Sequence, residues 1–327
     1  MAIITPSAPA VALWPHRVER GRAYLESLGL RVRLMPNAGR RDGWVSASPR
    51  ERADDIHAAF FDDDVRVVLA AIGGNHSNQI LPFLDFDLIA AHPKIVQGYS
   101  DVTVLLWAIL ERARLRTFHG PALVSELGEF PSPLPFTDRW LRAAWFGAAS
   151  LTFEPASDWT DEFLDWFAKA DLVRPRELRP GSGWVTLRPG MANGRLIGGC
   201  LETICWHLKG STFWPDLAGA VLFLETSEEA PSPAEVDGYL TDLEQLGVFD
   251  QVSGLVFGRP MRYAAADVET LWSVVRRRTE ASGVPVLANV DLGHTDPMLT
   301  LPLGAHAYLD ATAQRFGTTE PATESRL

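Results

Sequence analysis

The chain reads as an α/β protein of two domains, a parallel-sheet domain followed by a second α/β domain. Three observations predict this. Strand-length apolar runs alternate with helical patterns through the first 150 residues, as expected of a parallel sheet covered on both faces. The pattern weakens over residues 154–189, where Pro155, Pro175, Pro180, Gly181, Gly183, Pro189 and Gly190 interrupt it, and it resumes at Gly194. The length, 327 residues, exceeds what one core usually fills. The expected boundaries are 1–150 for the first domain, 151–189 for a linker with an aromatic loop, and 190–327 for the second.

Ile3-Ile4 opens the first strand, and residues 11–13 are another short strand candidate. Residues 17–28 form a helix with Val18, Tyr24, Leu25 and Leu28 inward, and residues 30–35 are strand-like. Ser48 and Pro49 start a helix running to about Phe61. Serine at the N-cap, proline at the first helical position and Glu51 three residues on make a capping signal. Residues 65–72 and 94–98 are buried strands, and 101–112 is the helix behind the second. In the linker, Trp159, Trp166 and Trp184 maintain an aromatic character suited to a wall. Residues 219–225 are a strand, and Ser232-Pro233-Ala234-Glu235 opens a helix to Leu246. Residues 252–257 and 284–290 are strands, with a helix over 266–281 between them. The tail after Arg315 is polar and expected to fray.

A net charge of −11 without a basic block argues against a nucleic-acid polymer as partner. The longest apolar runs are strand-length, short of the roughly 18 residues of a membrane helix. No basic segment precedes the apolar residues of the N-terminus, which argues against a signal peptide. Cys200 and Cys205 lie in one helical-looking segment, five residues apart and so not side by side. A disulfide or zinc site is not expected, and a cytoplasmic protein is the simple reading.

Ser100 stands at the corner between residues 94–98 and the following helix, in Gly98-Tyr99-Ser100-Asp101. Such a nucleophile elbow exposes a hydroxyl, and the helix start offers backbone N–H groups to an oxyanion. A serine there also serves as a plain helix cap, and Val102 departs from the Gly-x-Ser-x-Gly pattern. Gly73-Gly74 after the preceding strand is either a turn or a close backbone approach to substrate. Glu225 ends a buried strand, where open α/β sheets place their sites, with Glu228 and Glu229 as rivals. His294, between Gly293 and Pro297, is a candidate base. His16, His57 and His92 read as surface residues, while His76 and His119 are cleft candidates. Trp184 is either an interdomain anchor or a stacking surface. No metal-ligand spacing is present.

Six motifs in order resemble the LD-carboxypeptidase family of serine peptidases. They are Gly73-Gly74-Asn75-His76-Ser77-Asn78, residues 93–103, Phe118-His119-Gly120-Pro121, Gly194-Arg195-Leu196-Ile197-Gly198-Gly199, Leu222-Phe223-Leu224-Glu225, and Gly293-His294. Residues 77–82, 120–123 and 247–255 place the chain nearer the microcin C immunity branch than the murein tetrapeptide carboxypeptidases. The resemblance implies a Ser100–Glu225–His294 triad at an interdomain cleft, an oxyanion hole from the N–H groups of Gly74 and Asp101, no metal or other cofactor, and a homodimer. It offers Gly73, Asn75, Trp184 and Cys200 as substrate contacts, although many relatives carry Gly-Gly-Asn where this chain has Gly198-Gly199-Cys200. The implied substrate is an aminoacyl-nucleotide conjugate, hydrolysed at its amide in self-immunity or detoxification. The rivals are a murein tetrapeptide, cleaved to release D-alanine, and a non-catalytic role as a bilobal small-molecule binding protein.

Overall fold

The computed structural model describes residues 1–323. Among them, six strands form one sheet in the order Leu301–Leu303, Thr117–His119, Ile95–Gly98, Val67–Ala70, Ala2–Ile4, Arg33–Leu34. All neighbours are parallel except Leu301–Leu303, which runs antiparallel to Thr117–His119. Val67–Ala70 is buried along its whole length, which explains its unbroken aliphatic sequence: a central parallel strand is covered on both faces. The helix Pro49–Phe61 starts as its sequence predicts. Ser48 Oγ accepts the Glu51 N–H at 3.4 Å, and Glu51 Oε2 accepts the Ser48 N–H at 3.1 Å.

The second sheet orders eight strands as Ser150–Phe153, Arg315–Pro321, His306–Asp310, Met191–Cys200, Val221–Glu225, Gly254–Gly258, Val286–Val290, Val185–Arg188. Its central four strands are parallel and its margins antiparallel. The sheets exchange strands: Leu301–Leu303, just beyond His294, closes the first sheet, and Ser150–Phe153 borders the second. They also touch directly. The Trp107 indole N–H donates to the Gly198 carbonyl at 2.8 Å, and the Cys200 N–H donates to Thr103 Oγ1 at 3.2 Å. A β-carbon on Gly199 would lie 2.4 Å from the Thr103 side chain, so this glycine lets the helix Thr103–Arg112 seat against the second sheet.

Four expectations need correction. Residues 11–13 belong to a helical turn, Ala10–Leu13, because an apolar run this short cannot fix its own period. The strand expected over 30–35 shrinks to the exposed edge pair Arg33–Leu34. Cys200 ends a strand and Cys205 lies in the following helix, both free and buried. The tail after Arg315 is not frayed as far as Pro321: that strand pairs on both sides and buries Phe316 completely. Thr318 Oγ1 accepts the Leu151 N–H at 2.9 Å and donates to the Glu320 carbonyl at 2.7 Å, so a polar sequence is satisfied inside the sheet. Residues 324–327 of that expected tail lie outside the described residues.

Candidate active site

A cavity of about 430 Å³ opens between the sheets, and Gly73, Gly74, Tyr99, Ser100, Glu228 and His294 are among its lining residues. This volume suits a small-molecule ligand. Ser100 enters from the C-terminal end of Ile95–Gly98, in a 3₁₀ turn, Ser100–Val102, that feeds the helix Thr103–Arg112. Its φ is +60°. For a residue with a β-carbon this is the left-handed region, and it costs on the order of 1 kcal/mol. The side chain caps nothing, so the helix-cap reading fails and the strained-elbow reading stands.

The surrounding backbone is built to hold that corner. A β-carbon on Gly73 would sit 3.0 Å from Ser100 Cβ and 3.2 Å from the Asp101 nitrogen. One on Gly74, where φ is +140°, would sit 2.4 Å from Ser7 Oγ. Asp101 is buried, and its Oδ2 accepts the N–H groups of His76 (3.0 Å) and Ser77 (2.9 Å) and the Ser77 hydroxyl (2.7 Å). One carboxylate therefore ties the glycine turn to the serine corner. Among the described residues, the N–H groups of Gly74 and Asp101 have no protein acceptor.

Glu225 ends the strand Val221–Glu225 and is fully buried. Its Oε2 accepts the His294 Nδ1–H at 2.8 Å. A β-carbon on Gly293 would lie 2.5 Å from that oxygen, which explains the glycine before the histidine. The Tyr99 ring meets the imidazole edge-on at 4.9 Å, and the Tyr99 hydroxyl donates to Glu126 at 2.7 Å. Burial, followed by the nearby Asp296, pushes the Glu126 carboxyl up to about 7. On the other side of the ring, His294 Nε2 lies 2.9 Å from Glu228 Oε2 but has no aligned hydrogen-bond acceptor. Burial opposes charge on His294, but Glu225 and Glu228 outweigh it and hold the imidazole well above its ordinary pKa. Burial likewise opposes charge on Glu228, and the imidazolium overcomes it to hold that carboxylate at about 2.

The linker forms part of the cavity wall through Glu162, Phe163, Leu164, Trp166 and Arg176. Arg176 bridges Glu129 of the first domain and Asp296, two residues beyond His294, at 2.8 Å to each. Trp166 packs edge-on to Trp14 at 5.1 Å, with the Arg17 guanidinium 4.2 Å above its ring.

The structure brings Ser100, His294, Gly73 and Gly74 to one cavity, with Glu225 directly behind the histidine. It does not bring Asn75, Trp184 or Cys200 there. Asn75 is exposed outside the cavity lining. Trp184 is 4 % exposed, and its indole N–H is spent on the buried Asp291 at 2.9 Å, so its role is that of a packing anchor. Cys200 lies in the core beneath the Thr103 contact. His119 is buried away from the cavity lining, and burial lowers its pKa to about 4. The sequence reading did not assign roles to Asp101's carboxylate, Tyr99, Arg176 or Trp14. It gave Trp166 only a general place in an aromatic wall.

Residues 1–120 match the LD-carboxypeptidase N-terminal domain, and residues 193–309 match the LD-carboxypeptidase C-terminal domain. The chain belongs to the LD-carboxypeptidase family. Within it, the chain is 32% identical to the microcin C7 self-immunity protein MccF of Escherichia coli, over 98% of this chain and 93% of that protein. It is 30% identical to a probable murein peptide carboxypeptidase of Bacillus subtilis, over 98% and 91%. Its fold matches a solved structure of MccF in complex with aspartyl sulfamoyl adenosine, with a TM-score of 0.89 at 33% identity over 99% and 96% of the two chains. The chain is therefore a peptidase hydrolase, and the non-catalytic binding role is set aside.

Proposed function

We propose that Ser100, His294 and Glu225 form a catalytic triad that hydrolyses the amide of an aminoacyl-nucleotide conjugate. The observation that carries this is the strained Ser100 at a strand-to-helix corner, sharing a cavity with an imidazole that is oriented by a buried carboxylate. In this reading Ser100 Oγ attacks the carbonyl carbon while neutral His294 takes its proton. Glu225 holds the Nδ1–H tautomer and stabilises the imidazolium. The N–H groups of Gly74 and Asp101 receive the oxyanion. His294 then protonates the leaving amine, and water attacks the acyl-serine by the same route.

The nucleotide part of the reading is supported by the likeness to MccF and by the Trp14–Trp166 pair beside the cavity, an apolar surface suited to a planar base. The murein tetrapeptide remains the second reading, favoured by the likeness to the Bacillus subtilis protein. We place the reaction in the cytoplasm, which two free cysteines fit, and in a homodimer, which sedimentation velocity checks. The decisive experiment is turnover by Ser100→Ala of an aminoacyl sulfamoyl adenosine and of a muropeptide. The variant is expected to lose at least about 10⁴-fold in kcat on the better substrate while keeping its affinity. Full activity on either substrate overturns the triad, and turnover of the muropeptide alone by the unaltered protein selects the second reading.

A further inference from the structure

A second cavity, of about 790 Å³, lies at the opposite edge of the first sheet from the cleft. Arg66, Ile95 and Arg116 in its wall stand where the strands Val67–Ala70, Ile95–Gly98 and Thr117–His119 begin, whereas Ser100 follows the end of Ile95–Gly98. Five cations line it, Arg66, Lys94, Arg114, Arg116 and Arg195, and among the described residues no Asp or Glu does. In a chain with 41 acidic and 30 basic residues this is a local reversal of charge. Lys94 Nζ is fixed by the carbonyls of Asp62 and Val65, at 2.8 and 2.6 Å, rather than by a carboxylate. Burial, followed by Arg66, pushes its pKa down. Arg116 is held by Glu320 and by the Pro321 carbonyl at 3.0 Å, and Arg114 lies 3.4 Å from Glu111. Arg66 and Arg195 have no ion-pair partner among the described residues. Like charges gathered in one concavity repel each other and draw anions into it.

We propose that this cavity is a second binding site, and that it takes the di- or triphosphate group of a small molecule. Phosphate oxygens accept hydrogen bonds from guanidinium forks and from an ammonium group. One carboxylate engages one or two such donors, whereas a chain of linked phosphates carries enough charge and enough acceptors for several. Ile95, Leu110 and Leu115 give the same cavity an apolar wall, against which an organic body attached to the phosphates can lie. The cations come from both sheets. Arg66, Lys94 and Arg116 each precede a strand of the first, and Arg195 lies in Met191–Cys200 of the second. A bound polyphosphate therefore ties the two sheets together at the edge remote from Ser100 and stabilises their seam. The site stands apart from the chemistry proposed for the cleft.

The test is calorimetric binding of tripolyphosphate and of ATP to the full-length protein, with thermal melts beside it. Both probes are expected to bind, to raise the melting temperature, and to bind more weakly as salt is added. Tighter binding of ATP assigns the site to a phosphorylated organic molecule that uses the apolar wall, and equal binding assigns it to the phosphates alone. In the double variant Arg66→Gln/Arg195→Gln, both dissociation constants are expected to rise about tenfold, the scale of two exposed ion pairs. The melt of the free variant and its turnover are expected to match those of the unaltered protein. Arg262→Gln, which removes a cation of the cleft, is expected to leave the affinity for tripolyphosphate as it was. Three results overturn the proposal: no binding of either probe, binding only once residues 324–327 are removed, and affinities that survive the double variant. Loss of tripolyphosphate binding in Arg262→Gln overturns it as well, by placing the anion in the cleft.

Discussion

The two halves of the cleft are held in place by different physics. On the Ser100 side, the geometry resides in the backbone. It consists of a φ of +60° at Ser100, +140° at Gly74, and three hydrogen bonds into one oxygen of the buried Asp101. On the His294 side, the geometry resides in charge. The imidazole lies between the carboxylates of Glu225 and Glu228, and its loop is anchored by Arg176 to Asp296. The comparison teaches that the first half is sensitive to shape and the second to ionisation. Changes of charge around the imidazole, made without change of shape, should therefore spare the serine corner and disable the base.

The largest expected effect tests the charged half. Glu225→Gln keeps the volume but removes the carboxylate that fixes the Nδ1–H tautomer, and kcat is expected to fall by about 10⁴ with the thermal melt nearly unchanged. Activity close to that of the unaltered protein would transfer the role to Glu228 or Glu229. The matching change of shape is Gly74→Ala. A β-carbon 2.4 Å from Ser7 Oγ, at φ +140°, displaces the turn and its free N–H. Loss of one oxyanion donor is expected to cost about 10²–10³ in kcat at unchanged pH dependence. A shifted pH profile in that variant would show that the two halves are not independent.

The same contrast decides what the sequence disclosed. The serine corner was legible because its determinants are local: a strand, two glycines, and Tyr99-Ser100-Asp101 at a helix start. Glu225 and His294 were legible from their places after buried strands and from family motifs. Trp184 stayed open between anchor and stacking surface because whether an indole in a Pro- and Gly-rich linker faces the cavity or the core depends on Asp291, more than a hundred residues away. Arg176 was not legible for the same reason: its partners, Glu129 and Asp296, lie on either side of the cleft and far apart in the chain. The Arg315–Pro321 strand was misjudged because its neighbour Ser150–Phe153 joins the sheet from the other end of the linker.

The two tryptophans of the linker sharpen that point with a smaller effect. Trp166→Ala is expected to weaken binding of a nucleotide conjugate about tenfold, the scale of one base stacked on an aromatic ring, with kcat retained. Trp184→Phe is expected to leave affinity unchanged and to lower stability by about 1–3 kcal/mol, because the buried Asp291 loses a donor. The reverse outcome in calorimetric binding and thermal melts would restore Trp184 to the ligand.

The smallest effect is the most diagnostic of the charged half, and it lies in the pH profile. The groups around the His294 ring are Glu225 and Glu228, which hold its proton, together with Tyr99 and His119. With Glu228 at about 2 and His119 at about 4, neither changes charge between pH 5 and 9. Burial keeps the Tyr99 phenol neutral there as well. Glu126, pushed up to about 7 behind Tyr99, does change charge in that window, and His294 is the titrating group that Glu228 touches. It is raised above the ordinary histidine value and acts as a base only when neutral, so kcat/KM is expected to climb with pH through that raised value. Removing the Glu228 charge destabilises the imidazolium, and in Glu228→Gln the same limb is expected at lower pH. On the Ser100 side no such displacement is expected, and Gly74→Ala should keep the limb where it is. An acid limb that stays in place in Glu228→Gln would mean that the carboxylate does not sit on the imidazole in solution.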